Sequence, residues 1–205
     1  MKMKNQFILY GLFSLLILTL GCKNGANPSE GMEEANTTKS QRVASEEKEE
    51  SKSSWRENVK RLEQKKPLSK KEFTAWLPSS ILNLKQDRLM INAHEDLATL
   101  NLNFVDGDTY FKINIIDGAG IRGAKMSAPA YKIASQNLDQ ETSTGYLKTV
   151  QKNEFIAKER YTKLTEEYNI QFFYNNRFFT TIRSNLDREQ VWDNIMDLNF
   201  ENLGK

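Results

Sequence analysis

Cysteine, histidine and long apolar runs are what this chain has least of. It contains one cysteine, one histidine and four prolines in 205 residues. With Cys22 alone, no internal disulfide forms in any redox compartment. His94 alone argues against a triad, a Cys–His pair or a multi-His metal site within one chain. It lies in the polar link Asn92-Ala93-His94-Glu95-Asp96, where an exposed loop histidine is expected. The longest apolar stretch, Phe7 to Leu20, would span about 21 Å as a helix. That is short of the roughly 30 Å hydrocarbon core of a bilayer. Charge of one sign is lacking too, with 29 Lys and Arg against 27 Asp and Glu.

The first residues carry a layout of their own. Lys2 and Lys4 precede the apolar run, and Gly21-Cys22 closes it, which is the order of a secretory signal. Leu18-Thr19-Leu20-Gly21-Cys22 resembles the lipobox of bacterial lipoproteins. There cleavage falls between the small residue and the cysteine, here Gly21 and Cys22. The cysteine then carries diacylglycerol and an N-acyl chain. The match departs at Leu20, where Ala or Ser is usual, and at Thr19, where Leu is usual. Two or more acyl chains, at about 0.8 kcal/mol per buried CH₂, hold a protein at a bilayer essentially permanently. Lys23 after the cysteine implies, by resemblance to enteric bacterial sorting, outer-membrane delivery and a periplasm-facing domain.

Removing residues 1–21 takes Lys2 and Lys4 and no acid, leaving 27 basic and 27 acidic side chains. A net charge of zero argues against nucleic-acid binding driven by phosphate neutralisation. It also gives no sign of steering toward a charged partner. Residues 23–53 hold no aromatic, and Met32 and Val43 are their only sizeable aliphatics. Such a stretch buries too little apolar surface to offset its ordering entropy, so a disordered tether over residues 22–53 is expected. Its r.m.s. span would be roughly 30 Å.

Residues 54–205 read as one α+β domain. Trp55, Val59 and Leu62 fall at i, i+4 and i+7, a short amphipathic stripe ended by Pro67. Ser69-Lys70-Lys71-Glu72 has the capping-box pattern and opens a helix through Trp76. Leu84–Ala93 is a predicted strand. Leu97–Val105 alternates, with Leu100, Leu102 and Phe104 on one face. Asp106-Gly107-Asp108 turns the chain, and Phe111, Ile113 and Ile115 alternate on the way back.

Gly118, Gly120 and Gly123 then form a literal G-x-G-x-x-G. The dinucleotide reading needs a buried parallel strand before it, a long apolar helix after it and an acid about 20 residues on. The alternating strand and Pro129, which would interrupt a long helix, argue against nucleotide binding. A short helix across Ile121–Ile133 is expected instead, with Ile121, Ala124, Ala128 and Tyr131 inward. Gln136–Gly145 reads as polar loop. Strands follow at Tyr146–Gln151, Glu154–Tyr161, Thr165–Tyr174 and Arg177–Arg183, with Asn175-Asn176 as a tight turn. Asp187-Arg188-Glu189-Gln190 has a second capping-box pattern before a terminal helix with Val191, Trp192, Ile195, Met196 and Leu198 inward. The expected architecture is an antiparallel sheet of about six to seven strands. N-terminal, short central and C-terminal helices would pack mainly on one face.

Three features together resemble a group of uncharacterised bacterial envelope lipoproteins. These are Leu77-Pro78, the strand end Ile116-Asp117-Gly118-Ala119-Gly120, and the Asn176-Arg177-Phe178 hairpin before a helix ending Asp197-Leu198-Asn199. The likeness covers about Leu68 to Leu203 and implies no activity. The element order is also distantly similar to Mog1/PsbP-like domains, a likeness of fold alone.

No catalytic, metal or cofactor residue is assigned. Asp106, Asp108 and Asp117 could converge on Ca²⁺, but each is explained by a turn, and the Glu of an EF-hand is missing. The expectation is a lipid-anchored, non-catalytic binding or structural module in the cell envelope. Its partners would be the bilayer through Cys22 and an envelope protein or glycan. Two alternatives stand: a carboxylate-dependent hydrolase, which needs facing carboxylates of raised pKa, and a carrier of an apolar ligand, which needs a large cavity between sheet and helices.

Overall fold

The computed structural model describes residues 55–205. The readings for residues 1–21, for Gly21 and Cys22, and for 22–53 lie outside that range. Helical residues 55–63 (α1) come first, then α2 (Lys70–Trp76). Three strands follow, β1 (Lys85–Ala93), β2 (Ala98–Asp106) and β3 (Thr109–Asp117), and then α3 (Ile121–Ala134). A second run of strands comprises β4 (Asp139–Thr142), β5 (Gly145–Lys152), β6 (Phe155–Thr162), β7 (Glu167–Tyr174) and β8 (Phe178–Ser184). The chain closes with α4 (Arg188–Asp197) and a 3₁₀ turn at Phe200–Asn202.

All eight strands form one antiparallel sheet in the order β1-β2-β3-β8-β7-β6-β5-β4. Two meanders are thus joined along β3 and β8. α3 carries the chain from the middle of the sheet to its far edge, crossing β3, β7 and β6. The expected hairpin is in register: Leu100, Leu102 and Phe104 oppose Ile115, Ile113 and Phe111. All six are at most 1% exposed. Asn175 and Asn176 make the tight turn with φ of 52° and 48°, in the left-handed region that Asn tolerates.

The sheet has eight strands rather than six to seven. The strand missing from the sequence reading is β4, whose residues Asp-Gln-Glu-Thr are all exposed. A strand with no apolar side chain has no period of two to read, and only its backbone pairing with β5 defines it.

The helices also do not share one face. α2 and α4 cover the face that buries Leu102, Ile113, Ile182, Ile170 and Phe172, using Phe73, Trp76, Val191, Trp192 and Ile195. Phe200 sits on the same side, its ring against those of Trp76, Phe155, Phe172 and Tyr174. α1 and α3 pack on the opposite face. There Leu62, Ala124 and Tyr131 form a second, smaller cluster with Trp55, Val59 and Phe173.

Ser69 and Glu72 form their capping box, with both reciprocal bonds present. Asp187 makes no side-chain cap bond, so the second capping box does not form. α3 runs through Pro129, which lies exposed on its outer side, while Ala124 and Tyr131 face inward, Ala128 is half-buried and Ile121 is exposed.

The G-x-G-x-x-G stretch serves packing. Gly120 holds φ +80°, and a Cβ there would lie 2.5 Å from the Asp96 carbonyl oxygen. A Cβ on Gly123 would lie 2.4 Å from the Asp117 carbonyl oxygen. Gly120 supplies a turn that L-residues resist, and Gly123 lets α3 touch the end of β3.

Candidate functional site

An open cleft of about 650 Å³ lies between α1, the C-terminal end of α3 and the β6–β7 part of the sheet. α1 contributes Trp55, Asn58 and Arg61, which stand three residues apart and therefore side by side on the helix. α3 contributes Tyr131, and Ser135 follows at its end; β6 contributes Ile156 and β7 contributes Phe173. The rings of Tyr131 and Phe173 stack with centroids 3.8 Å apart and an interplanar angle of 11°. The Tyr131 hydroxyl donates to the Asn176 carbonyl, and Asn58 Nδ2 donates to the same oxygen at 2.8 Å. Burial pushes the Tyr131 phenol well above its ordinary pKa, so it stays a neutral donor.

Arg61 Nε and Nη2 both reach Asn58 Oδ1, the former at 3.2 Å. Among the described residues, no carboxylate stands within ion-pair distance of Arg61. The cleft therefore offers the half-buried rings of Trp55 and Phe173 over a buried Tyr131 floor, and the exposed Arg61 guanidinium beside the amide of Asn58 and the hydroxyl of Ser135. Glu57 and Glu154 lie at its rim.

Three buried charges elsewhere are tied into the scaffold. Glu159 on β6 is 1% exposed and accepts from Trp192 Nε1 at 2.6 Å, Arg188 Nε at 2.7 Å and the Tyr146 hydroxyl at 2.7 Å. Burial alone would raise its pKa, but these hydrogen bonds outweigh it and hold the carboxyl below its ordinary range. Asp117 accepts from Arg177 Nε and Nη2 at 2.7 and 2.8 Å, and from the amides of Leu68 and Ala119 at 2.8 and 3.0 Å. That knot joins the end of β3, the start of β8 and the approach to α2. Lys158 Nζ donates to the Ala134 and Gln136 carbonyls and to Thr149 Oγ1, fastening the end of α3 to the sheet. Desolvation lowers the pKa of this lysine.

His94, Asp106, Asp108 and Asp117 do not all come together in the fold. His94 is exposed, in the link between β1 and β2. Asp106 and Asp108 flank the β2–β3 turn, while Asp117 ends β3. The length of β3, roughly 27 Å at about 3.4 Å per residue, separates that turn from Asp117. No group of three metal-capable side chains occurs among the described residues.

The cleft has no direct signature in the sequence, because packing accounts for Trp55 and Tyr131, and Phe173 falls on the outward face of its strand. A trace of it exists nonetheless. Ile115-Ile116, Phe172-Phe173 and Phe178-Phe179 are adjacent apolar pairs that break the alternation of their strands. Ile116 pairs with Phe179 and Phe179 with Phe173, so the second members line up across three strands. Such a row marks a second covered face.

No family model, curated protein or solved structure matches this chain.

Proposed function

We propose that this chain is an envelope protein, lipid-anchored through Cys22, whose folded domain is a non-catalytic binding module for an envelope glycan. The observation that carries the reading is the cleft in which the half-buried rings of Trp55 and Phe173, the latter backed by Tyr131, stand beside Arg61, Asn58 and Ser135. Sugar rings present apolar C–H faces and a girdle of hydroxyls that both donate and accept. Aromatic walls with mixed polar groups suit that combination.

Two observations weigh against the alternatives. The carboxylates with displaced titration, Glu72, Glu159 and Glu167, all move downward, opposite to the shift a general acid requires. The space between the sheet and α2 and α4 holds the fully buried side chains of Trp192, Phe73, Phe104, Phe111 and Phe172, which leaves little room for an apolar cargo.

Tryptophan fluorescence tests the cleft. Trp76 and Trp192 are 6% and 2% exposed, whereas Trp55 is half-buried at the cleft and responds to an occupant. Titration with N-acetylglucosamine oligosaccharides should give a saturable change that Arg61→Ala weakens about tenfold, the loss of one charged hydrogen bond. An unchanged spectrum across envelope-type oligosaccharides would remove the glycan reading.

A further inference from the structure

Charge that nearly cancels over the whole chain, 29 Lys and Arg against 27 Asp and Glu, is unevenly distributed by the fold. α1 carries Arg56, Lys60 and Arg61 against Glu57 and Glu63. α3, on the same sheet face, adds Arg122, Lys125 and Lys132 and no acid. On the opposite face, residues 187–201 hold Arg188 against five acids, while α2 adds Lys70 and Lys71 against Glu72. The α1/α3 layer is thus a basic surface on a chain of balanced composition.

That surface is apolar as well. At 3.6 residues per turn, Arg122, Lys125, Met126, Pro129, Lys132 and Ile133 share the outer side of α3. All six are exposed, with Met126 and Ile133 at 48% and 45%. Ile121 at the start of the helix is 54% exposed. Arg122 Nη1 lies 3.7 Å from Asp96, so Lys125 and Lys132 carry most of the free charge.

We propose that the outer face of α3, flanked by α1, lies against an anionic phospholipid bilayer. Cations beside exposed aliphatic side chains match an interface where phosphates overlie hydrocarbon. A hydrated polyanion would engage the lysines and leave Met126 and Ile133 in water. The proposal deepens the lipid-anchor reading and rests on it for location. The first described residue, Trp55, lies in this α1/α3 layer.

The test uses residues 22–205 with Cys22→Ala, which contain all eight strands and both apolar clusters. This chain has no cysteine and no acyl group, so Met126→Cys or Leu164→Cys accepts one environment-sensitive dye. Leu164, 91% exposed in the β6–β7 turn, is the control. The chain should sediment with phosphatidylcholine–phosphatidylglycerol vesicles and not with phosphatidylcholine alone. The dye at position 126 should shift to the blue, and the dye at 164 should not.

Lys125→Ala with Lys132→Ala should weaken the partition roughly 25-fold, about fivefold for each cation near the surface. Both positions are exposed, and an unchanged urea midpoint verifies folding. Equal binding to both vesicle types, an unmoved dye at 126, or an unaffected double-lysine variant would overturn the proposal. So would polyphosphate binding as tight as vesicle binding, combined with no effect of Met126→Ser and Ile133→Ser. Failure of the anchor reading is seen separately, as absence of palmitate on the intact chain.

Discussion

Replacing Glu159 tests how much of this domain's stability depends on one buried charge. Its carboxylate is 1% exposed and binds donors from β5 (Tyr146) and α4 (Arg188 and Trp192). Glu159→Ala leaves the Trp192 indole N–H and the Arg188 guanidinium without their acceptor. Breaking a buried pair in this way costs about 3–5 kcal/mol. Glu159→Gln keeps one acceptor oxygen for Trp192 but loses the charge, and should cost about 2 kcal/mol. Arg188→Ala should cost about 3 kcal/mol, because it leaves the 1%-exposed Glu159 carboxylate without its counter-ion, held only by the neutral donors Tyr146 and Trp192.

Urea unfolding followed by tryptophan fluorescence measures each value. The hydrogen bonds hold the folded-state pKa of Glu159 below its unfolded value. Their stabilisation is therefore complete above the ordinary carboxylate range, near about pH 4.3, and is lost as pH falls through the folded-state value. The gap between the wild-type protein and Glu159→Gln should be widest near neutral pH and shrink on acidification. A cost for Glu159→Ala under about 1 kcal/mol, or a gap that does not change with pH, would refute this reasoning.

Two further outcomes follow from the packing and from the N-terminal segment. Phe172→Ala should cost about 3–5 kcal/mol in urea unfolding, because the ring is 1% exposed and packs edge-on against Phe155 and Phe200. A loss below about 1 kcal/mol would mean the ring contributes little to the core. Cys22→Ala in the whole chain should abolish palmitate incorporation and release the protein from the membrane fraction, and unchanged fractionation would count against lipidation.

Buried charge is concentrated where the sheet needs joining rather than where a ligand could reach. Asp117 and Arg177 fasten the two meanders at β3 and β8, and Lys158 fastens α3 to the β5–β6 hairpin. Removing one partner of such a pair leaves an uncompensated charge in a poorly hydrated site. The cleft is different, since Arg61 is exposed and bonded only to Asn58 among the described residues. A cation held by a neutral amide keeps its charge available to an incoming group.

Local patterning is enough to specify the α+β class, the β2–β3 and β7–β8 hairpins, the Ser69 cap and the inward face of α4. Each is a matter of side-chain period, turn chemistry or a bond across three residues, so neighbouring positions suffice. Long-range pairing was needed to bring β4 into the sheet, because its exposed residues carry no hydrophobic period and only backbone bonds place it. The same holds for the placing of α1 and α3 opposite α2 and α4. Adjacent apolar pairs such as Phe172-Phe173 mark a second covered face, but which helices cover it depends on which strand follows α3 across the sheet. From that crossing come the cleft beside Arg61 and the placing of the α3 cations on the face opposite the acids of α4, neither of which is visible in a balanced count of charges.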